Sequence, residues 1–143
     1  MMKRFTFLFF IVLLSLNSIA QKVIQMKKDR GIYKMACNIN GAKADILFDK
    51  DVPSVYLSEF MANYLYDNNF ITNEDIMLGK WKRTNDSNGT IILLKDVKIT
   101  SFHLKNVMAI IRKKQKVPLI LGISALKKYG NVILDGDKLI IYD

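Results

Sequence analysis

Short hydrophobic segments separated by turn residues are the feature that most limits how this chain can fold. Asn40-Gly41 and Asn88-Gly89 each lie between segments rich in Val, Ile and Leu, and Asp135-Gly136-Asp137 lies between two more. Both residues of an Asn-Gly pair tolerate the positive φ that a type I′ hairpin turn requires. The pattern therefore predicts a mainly β domain with one or two short helices.

The strands are predicted from alternating apolar and polar residues, and the helices are predicted from capping residues. Ser58 precedes the sequence EFMANYLY and predicts a capped helix with Phe60 and Leu65 on its buried face. A further helical turn is predicted after Thr72, and ISALKKYG is predicted to form a short helix ending near Gly130. The predicted strands are 22–28, 31–39, 42–48, 90–99, 102–113, 117–122 and the two arms of 132–143. The predicted core contains Ile46, Phe48, Val55, Leu57, Ile120, Leu121 and Ile133.

The first twenty residues differ in character from the rest. MMKR is a short basic head, a hydrophobic run follows, and NSIA ends with small residues before Gln21. This is the pattern of a signal peptide cleaved after Ala20, and the run is short for the roughly 30 Å hydrocarbon layer of a membrane. The sequence predicts a leader at 1–20 and one domain at 21–143. The mature protein is expected in the periplasm or the extracellular space, without a membrane partner.

The net charge of the chain limits the kinds of partner that it is expected to bind. Of the formal charge of +9, Lys3 and Arg4 belong to the leader, which leaves 20 basic residues against 13 acidic ones. This excess favours anionic partners, but the basic residues are scattered instead of interleaved with aromatics, so no nucleic-acid partner is predicted. The dense run RKKQK, 112–116, is predicted to be a solvated loop.

The chain has one cysteine and one histidine. Cys37 lies in an alternating strand pattern and is predicted to be a buried apolar residue without a disulfide. His103 lies in a strand pattern with no evident partner, so neither residue is predicted to be catalytic. The scarcity of these ligands also argues against a zinc site, and no cofactor is predicted.

The stretch LFDKDVPSVYLS places Asp49, Lys50 and Asp51 between a hydrophobic strand and Pro53. Asp and Pro form turns for local reasons, so a solvated turn explains the three residues without any function. A D-x-D pair can also supply oxygen ligands to Ca²⁺ or Mg²⁺. Further oxygen ligands at fixed spacing are missing from the sequence, and no metal is predicted.

Two segments, NGAKADILFDKDVPSVYLS and PLILGISALKKYG, together resemble the retropepsin-like aspartic peptidases, particularly their small exported bacterial members. The resemblance extends over about Val23 to Tyr142. It implies a closed β-barrel of the acid protease fold with one or two short helices. In an unrelated fold, the same strands could pack as a small β-sandwich.

The resemblance also assigns roles to individual residues. Asp49 stands at the position of the catalytic aspartate, and Ser87, Asn88 and Gly89 at the tip of the flap. The departures from the family pattern fall on the catalytic loop, since Lys50 replaces Thr, Asp51 replaces Gly, Val52 replaces Ala and Pro53 replaces Ser.

The family's chemistry pairs two aspartates that share one proton, one from each subunit of a homodimer. Lys50 cannot accept a hydrogen bond, and its ammonium is expected beside Asp49, while Asp51 adds a carboxylate. We therefore predict a polypeptide substrate or ligand, a possible homodimer, and peptide-bond hydrolysis that is impaired or lost, as in a pseudoenzyme. The alternative is a catalytically silent peptide- or protein-binding module on the same fold, which adds an extended peptide to a sheet edge.

Overall fold

The structure is a computed structural model that describes residues 21–78 and 89–142. The predicted leader at 1–20 and the flap residues Ser87 and Asn88 lie outside the described residues. Within these ranges the chain forms strands, two α-helices and a 3₁₀ turn at Asn73–Asp75. The strands are β1 Gln21–Gln25, β2 Lys27–Asp29, β3 Ile32–Ile39, β4 Ala42–Asp49, β5 Val55–Ser58, β6 Ile76–Leu78, β7 Ile91–Ile99, β8 Phe102–Arg112, β9 Leu119–Gly122, β10 Asn131–Asp135 and β11 Lys138–Tyr142; the helices are α1 Glu59–Asp67 and α2 Ser124–Lys127.

Six strands form a closed barrel in the order β3-β4-β9-β5-β8-β7, and pairing of β7 with β3 closes the ring. Most neighbouring strands are antiparallel, but β4 runs parallel to β9 and β5 runs parallel to β8. Barrel closure leaves no open edge between the six strands. The prediction of a mainly β closed barrel with short helices is confirmed, and the alternative of an unrelated sandwich is wrong.

A second sheet, in the order β1-β11-β10, joins the two ends of the described chain. The prediction of one continuous strand over 22–28 is wrong, because the chain changes sheets at Met26. Met26 is buried, and its N–H donates to the carbonyl oxygen of Asp137 at 2.8 Å. Strand β2 then pairs with β3 instead of β11.

The turn predictions are confirmed where the structure describes them. Asn40 and Gly41 have φ values of 50° and 94°, and Gly136 in the turn at 135–137 has a φ of 59°. The side chain of Asn40 also accepts from the N–H of Asp96 and donates to the carbonyl of Phe70, at 3.0 and 2.9 Å. This turn therefore ties β3 and β4 to elements that lie far away in the sequence.

Helix α1 begins as predicted at Ser58, whose Oγ accepts from the N–H of Met61 at 3.0 Å. Met61 and Leu65 belong to the face of the helix that packs on the barrel. The prediction that Phe60 shares this face is wrong, since its side chain is 80% exposed. Phe60 precedes Met61 by one position, which turns it about 100° away on a helix.

The core contains Ile46, Phe48, Val55, Leu57 and Leu121, as predicted. Ile120 is half-buried, and the assignment of Ile133 to the core is wrong because it is 48% exposed. Alternation along each strand explains both residues. In β9, Leu119 and Leu121 are buried, so Ile120 between them faces outwards. In β10, Val132 and Leu134 pack against the core, so Ile133 between them points outwards.

Candidate functional site

Asp49 is the last residue of β4, where its register partner is Gly122 of β9. Its side chain is half-buried. The Oδ1 atom accepts from the N–H of Asp51 at 3.0 Å, and the N–H of Val52 donates to the carbonyl of Asp49 at 3.4 Å. The chain thus turns immediately after Asp49, and one oxygen of the carboxylate is fixed by that turn.

Strand β9 and the start of α2 hold this loop in place. The N–H of Gly122 donates to the carbonyl of Ser54 at 3.1 Å, and the hydroxyl of Ser124 donates to the carbonyl of Pro53. A Cβ at Gly122 would overlap the carbonyl oxygens of Val52 and Ser54. The two segments that carry the sequence resemblance therefore meet in space, and their contact requires glycine at position 122.

Lys50 and Asp51 are both exposed. The φ of Asp51 lies outside the left-handed region, so this position does not need the conformational freedom of glycine. In the described part of the chain, no ion pair joins Lys50 to Asp49, and the expected contact between the ammonium and the carboxylate is absent. Both replacements are accommodated by side chains that extend into solvent.

A cavity of about 250 Å³ lies beside the loop. Its walls include Tyr33 from β3, Leu47 and Asp49 from β4, and Leu134 from β10, and Lys50 and Asp51 lie at the same cavity. The barrel and the second sheet thus both contribute to the space next to the carboxylate.

A row of half-buried apolar side chains crosses the outer face of the barrel and ends beside Asp49. Leu47 is opposite Ile120, Ile120 is opposite Tyr56, Tyr56 is opposite Ile110, and Ile110 is opposite Ile91. Residues that are opposite in register point to the same face of a sheet. We call these five residues the apolar row. Asp49 is two residues after Leu47 in β4 and therefore points to the same face.

The basic sequence 112–116 borders the apolar row. Arg112 ends β8, and its guanidinium carbon lies 3.3 Å from the centroid of the Tyr56 ring. Gln115 Nε2 donates to the carbonyls of Tyr56 and Val117 at 3.0 and 2.9 Å. The loop predicted at 112–116 is displaced, because Arg112 still belongs to β8 and the loop occupies 113–118. Sequence reasoning missed the contact with Tyr56 because Tyr56 lies more than fifty positions earlier in the chain.

The prediction that His103 has no partner is wrong. His103 Nδ1 lies 2.9 Å from Asp96 Oδ1, and Lys105 Nζ lies 3.2 Å from the same oxygen. Burial raises the pKa of Asp96, but hydrogen bonds from His103 and Lys105 outweigh it and lower the pKa below its usual value. Pairing of β7 with β8 brings these residues together on the outer surface.

Comparison with solved structures identifies the fold, and the other comparisons find no match. No protein-family model matches the sequence, and neither does any curated protein. Among solved structures, the chain is similar to a retropepsin-like aspartic protease from Rickettsia conorii, with a TM-score of 0.60 and 20% identity over 87% of this chain and 92% of that one. It is also similar to the retroviral protease-like domain of Ddi1 from Leishmania major, with a TM-score of 0.55 and 12% identity over 82% of this chain and 95% of that one. These likenesses confirm the predicted retropepsin-like fold.

The described residues also bear on metal binding and on membrane insertion. Among residues 21–78 and 89–142, no group of three or more His, Cys, Asp or Glu side chains is arranged to hold a metal ion. None of the helices in these ranges has the length and apolar character needed to cross a membrane.

Proposed function

We propose that this chain is an exported retropepsin-like protein that binds an extended polypeptide beside Asp49, and that its peptide-bond hydrolysis is impaired or lost. The observation that carries the proposal is the position of Asp49 on a retropepsin-like barrel. It lies at the end of the apolar row and beside a cavity, but in a loop that lacks the family's Thr and Gly.

The binding part of the proposal is supported by the shape and chemistry of this face. The apolar row offers contacts to successive side chains of an extended segment, and the cavity of about 250 Å³ offers room for one of them. Strands β6 and β7 form an antiparallel pair, and the predicted flap lies between them in the sequence. The similar structure from Rickettsia conorii is that of a protease, which supports a polypeptide ligand for this chain.

The impaired chemistry follows from the loop. Aspartic peptidases need two carboxylates that share one proton, and a chain with one Asp49 obtains the second from a homodimer. Lys50 provides no hydroxyl to bond across the two-fold axis. In such a dimer the two loops would bring four carboxylates and two ammonium groups together, and like charges at short range oppose ionisation.

The alternative function is a catalytically silent peptide- or protein-binding module. The apolar row favours it, because apolar contacts to a peptide do not require a carboxylate or a dimer. In this case Asp49 would serve only to shape the loop through its bond with Asp51 N–H.

Asp49→Asn separates the two functions because the substitution keeps the size of the side chain. The mature chain, residues 21–143, would be incubated with an unstructured polypeptide such as casein at acidic pH, with and without a statine-type inhibitor. Cleavage that is lost in Asp49→Asn indicates residual peptidase activity, and binding without cleavage that survives Asp49→Asn indicates the silent module. Asp137→Asn, an exposed turn residue, is the matched control. If the wild type neither cleaves nor binds the polypeptide, the proposal fails.

Export is a separate part of the proposal, supported by the sequence of residues 1–20. N-terminal sequencing of protein from the envelope or medium is expected to begin at Gln21. A chain that still begins at Met1 contradicts removal of the leader.

A further inference from the structure

Arg112 is held against an aromatic ring at the border of the apolar row. Its guanidinium carbon is 3.3 Å from the centroid of the Tyr56 ring, and the side chain is exposed. A guanidinium that stacks on a ring through its face keeps its N–H groups at the edge, where they can donate to a planar acceptor. Less conformational entropy is then lost when such an acceptor binds.

Strand register places this guanidinium next to a bound segment. Arg112 is two residues after Ile110 in β8, so both side chains point to the outer face. Tyr56 and Ile110 are members of the apolar row and are opposite each other in register. A polypeptide that lies on the row therefore passes directly beside Arg112.

The loop after Arg112 adds positive charge in a fixed position. Both hydrogen bonds of Gln115 Nε2 hold the loop against Tyr56 and Val117. Lys114 and Lys116 are exposed on either side of Gln115. Within residues 21–78 and 89–142, no carboxylate forms an ion pair with Arg112, Lys114 or Lys116.

We propose that Arg112, stacked on Tyr56 and supported by Lys114 and Lys116, is a subsite for the carboxylate of a Glu or Asp side chain in the bound polypeptide. This inference rests on the proposed function, since it takes the apolar row as the place where the polypeptide lies. Arg112 acts here as a specificity-determining residue and has no role in hydrolysis.

The chemistry defines the ligand class. A carboxylate can accept two parallel hydrogen bonds from a guanidinium, and the charge strengthens both. Five strands about 4.8 Å apart span about 19 Å, the length of roughly six extended residues. The preferred ligand is therefore a largely apolar segment of about six residues or more with one acidic side chain.

The test uses two fluorescein-labelled, unstructured peptides of about ten apolar and small residues that differ only by Glu or Gln at one central position. Their dissociation constants for the mature wild-type chain would be measured by fluorescence anisotropy at low and high salt. The Glu peptide is expected to bind about tenfold more tightly at low salt, and the difference should shrink as salt screens the charges.

Variants identify the residue responsible. Arg112→Gln is expected to remove the preference for Glu, so that the two peptides bind this variant with equal affinity. Arg112→Lys keeps the charge but not the planar group and should retain only part of the preference. Lys22→Gln is the matched control, because Lys22 lies in β1 of the second sheet and its Nζ lies 4.9 Å from the centroid of the Phe102 ring. This substitution should leave the preference intact.

The outcomes separate this inference from the proposed function. Equal binding of both peptides by the wild type overturns the acidic subsite and leaves the proposed function standing. Binding of neither peptide overturns both. If the wild type binds neither peptide but self-associates, and Arg112→Gln prevents the association, the face is an interface between copies of this chain and the subsite is again overturned.

Discussion

Asp51 occupies a position where the resembled family has glycine, and its backbone N–H still donates to Asp49 Oδ1 at 3.0 Å. The close approach of this amide to the carboxylate therefore survives the presence of a Cβ. What the loop lacks is the hydroxyl that Thr would provide at position 50, and what it gains is one charge of each sign. At the residue level, the loop departs from the family pattern in side-chain chemistry and not in backbone shape.

Replacing Lys50 by Thr and Asp51 by Gly together is expected to improve dimerisation and to increase peptidase activity. The hydroxyl would be available to bond across the dimer axis, and two surplus carboxylates would leave the pocket. Lys50→Thr alone should have a smaller effect because Asp51 would remain. Cleavage of casein and the oligomeric state would be measured for wild type, both single variants and the double variant.

Wild-type activity equal to that of the double variant would contradict this account of the loop. A folded, dimeric but inactive double variant would place the loss of function elsewhere in the cleft, and would favour the silent binding module.

Cys37 is buried in β3, as its alternating sequence pattern predicted. Burial raises the pKa of its thiol from 9.0 to about 12, and the negative charge of Asp45 contributes in the same direction. The folded protein thus keeps the thiol protonated where the unfolded chain ionises it. Below pH 9.0 both states carry the proton, and the stabilising effect is complete.

The free energy of unfolding is expected to decrease as pH rises from 9.0 towards 12, by at most about 1.4 kcal/mol per pH unit from this group. Urea unfolding of wild type and Cys37→Ala across this range would isolate the contribution, since other groups titrate equally in both proteins. An unchanged difference between the two proteins at all pH values would contradict the prediction.

At the level of elements, the loop after Asp49 depends on β9. Gly122→Ala is expected to lower the free energy of unfolding by about 1–3 kcal/mol, because the new Cβ overlaps the carbonyls of Val52 and Ser54. Gly136→Ala is a useful control: Gly136 has a φ of 59° but no neighbouring atom within 4 Å of the added Cβ, and it does not line the cavity beside Asp49. Urea unfolding and peptide binding would be measured for both variants.

Gly122→Ala should also weaken peptide binding, since the displaced loop carries Asp49, whereas Gly136→Ala should affect only stability. Equal binding by both variants would indicate that the loop's position does not influence the proposed binding face.

At the level of the whole molecule, the two ends of the described chain pair with each other, because β1 lies beside β11 in the second sheet. Ile24 of β1 is opposite Leu139 of β11, and both side chains are buried. Ile24→Ala is expected to destabilise the protein by about 2–5 kcal/mol through loss of buried apolar contacts and creation of a cavity. Val23→Ala, at a side chain that is 50% exposed, should cost much less. Thermal unfolding monitored by circular dichroism would compare them, and equal losses would show that β1 does not pack as described.

Local chemistry made much of the fold predictable. The positive φ values of Asn40 and Gly41 and the cap at Ser58 depend on neighbouring residues, so the sequence pattern identified them. Ile133 and Phe60 were assigned to the core incorrectly, because hydrophobic character does not specify which side of an element packs against the barrel. The strand break at Met26 was missed because it depends on a bond to Asp137, a residue far away in the sequence.

The short strands, their turns and the position of Asp49 after a hydrophobic strand follow from local sequence, because these properties depend on residues within a few positions of each other. In contrast, the contact of Gly122 with the loop, the apolar row across five strands and the stacking of Arg112 on Tyr56 arise only when the chain is folded. Each of these contacts joins residues separated by long stretches of chain. Barrel closure creates them, since it fixes the register between strands that no local pattern relates.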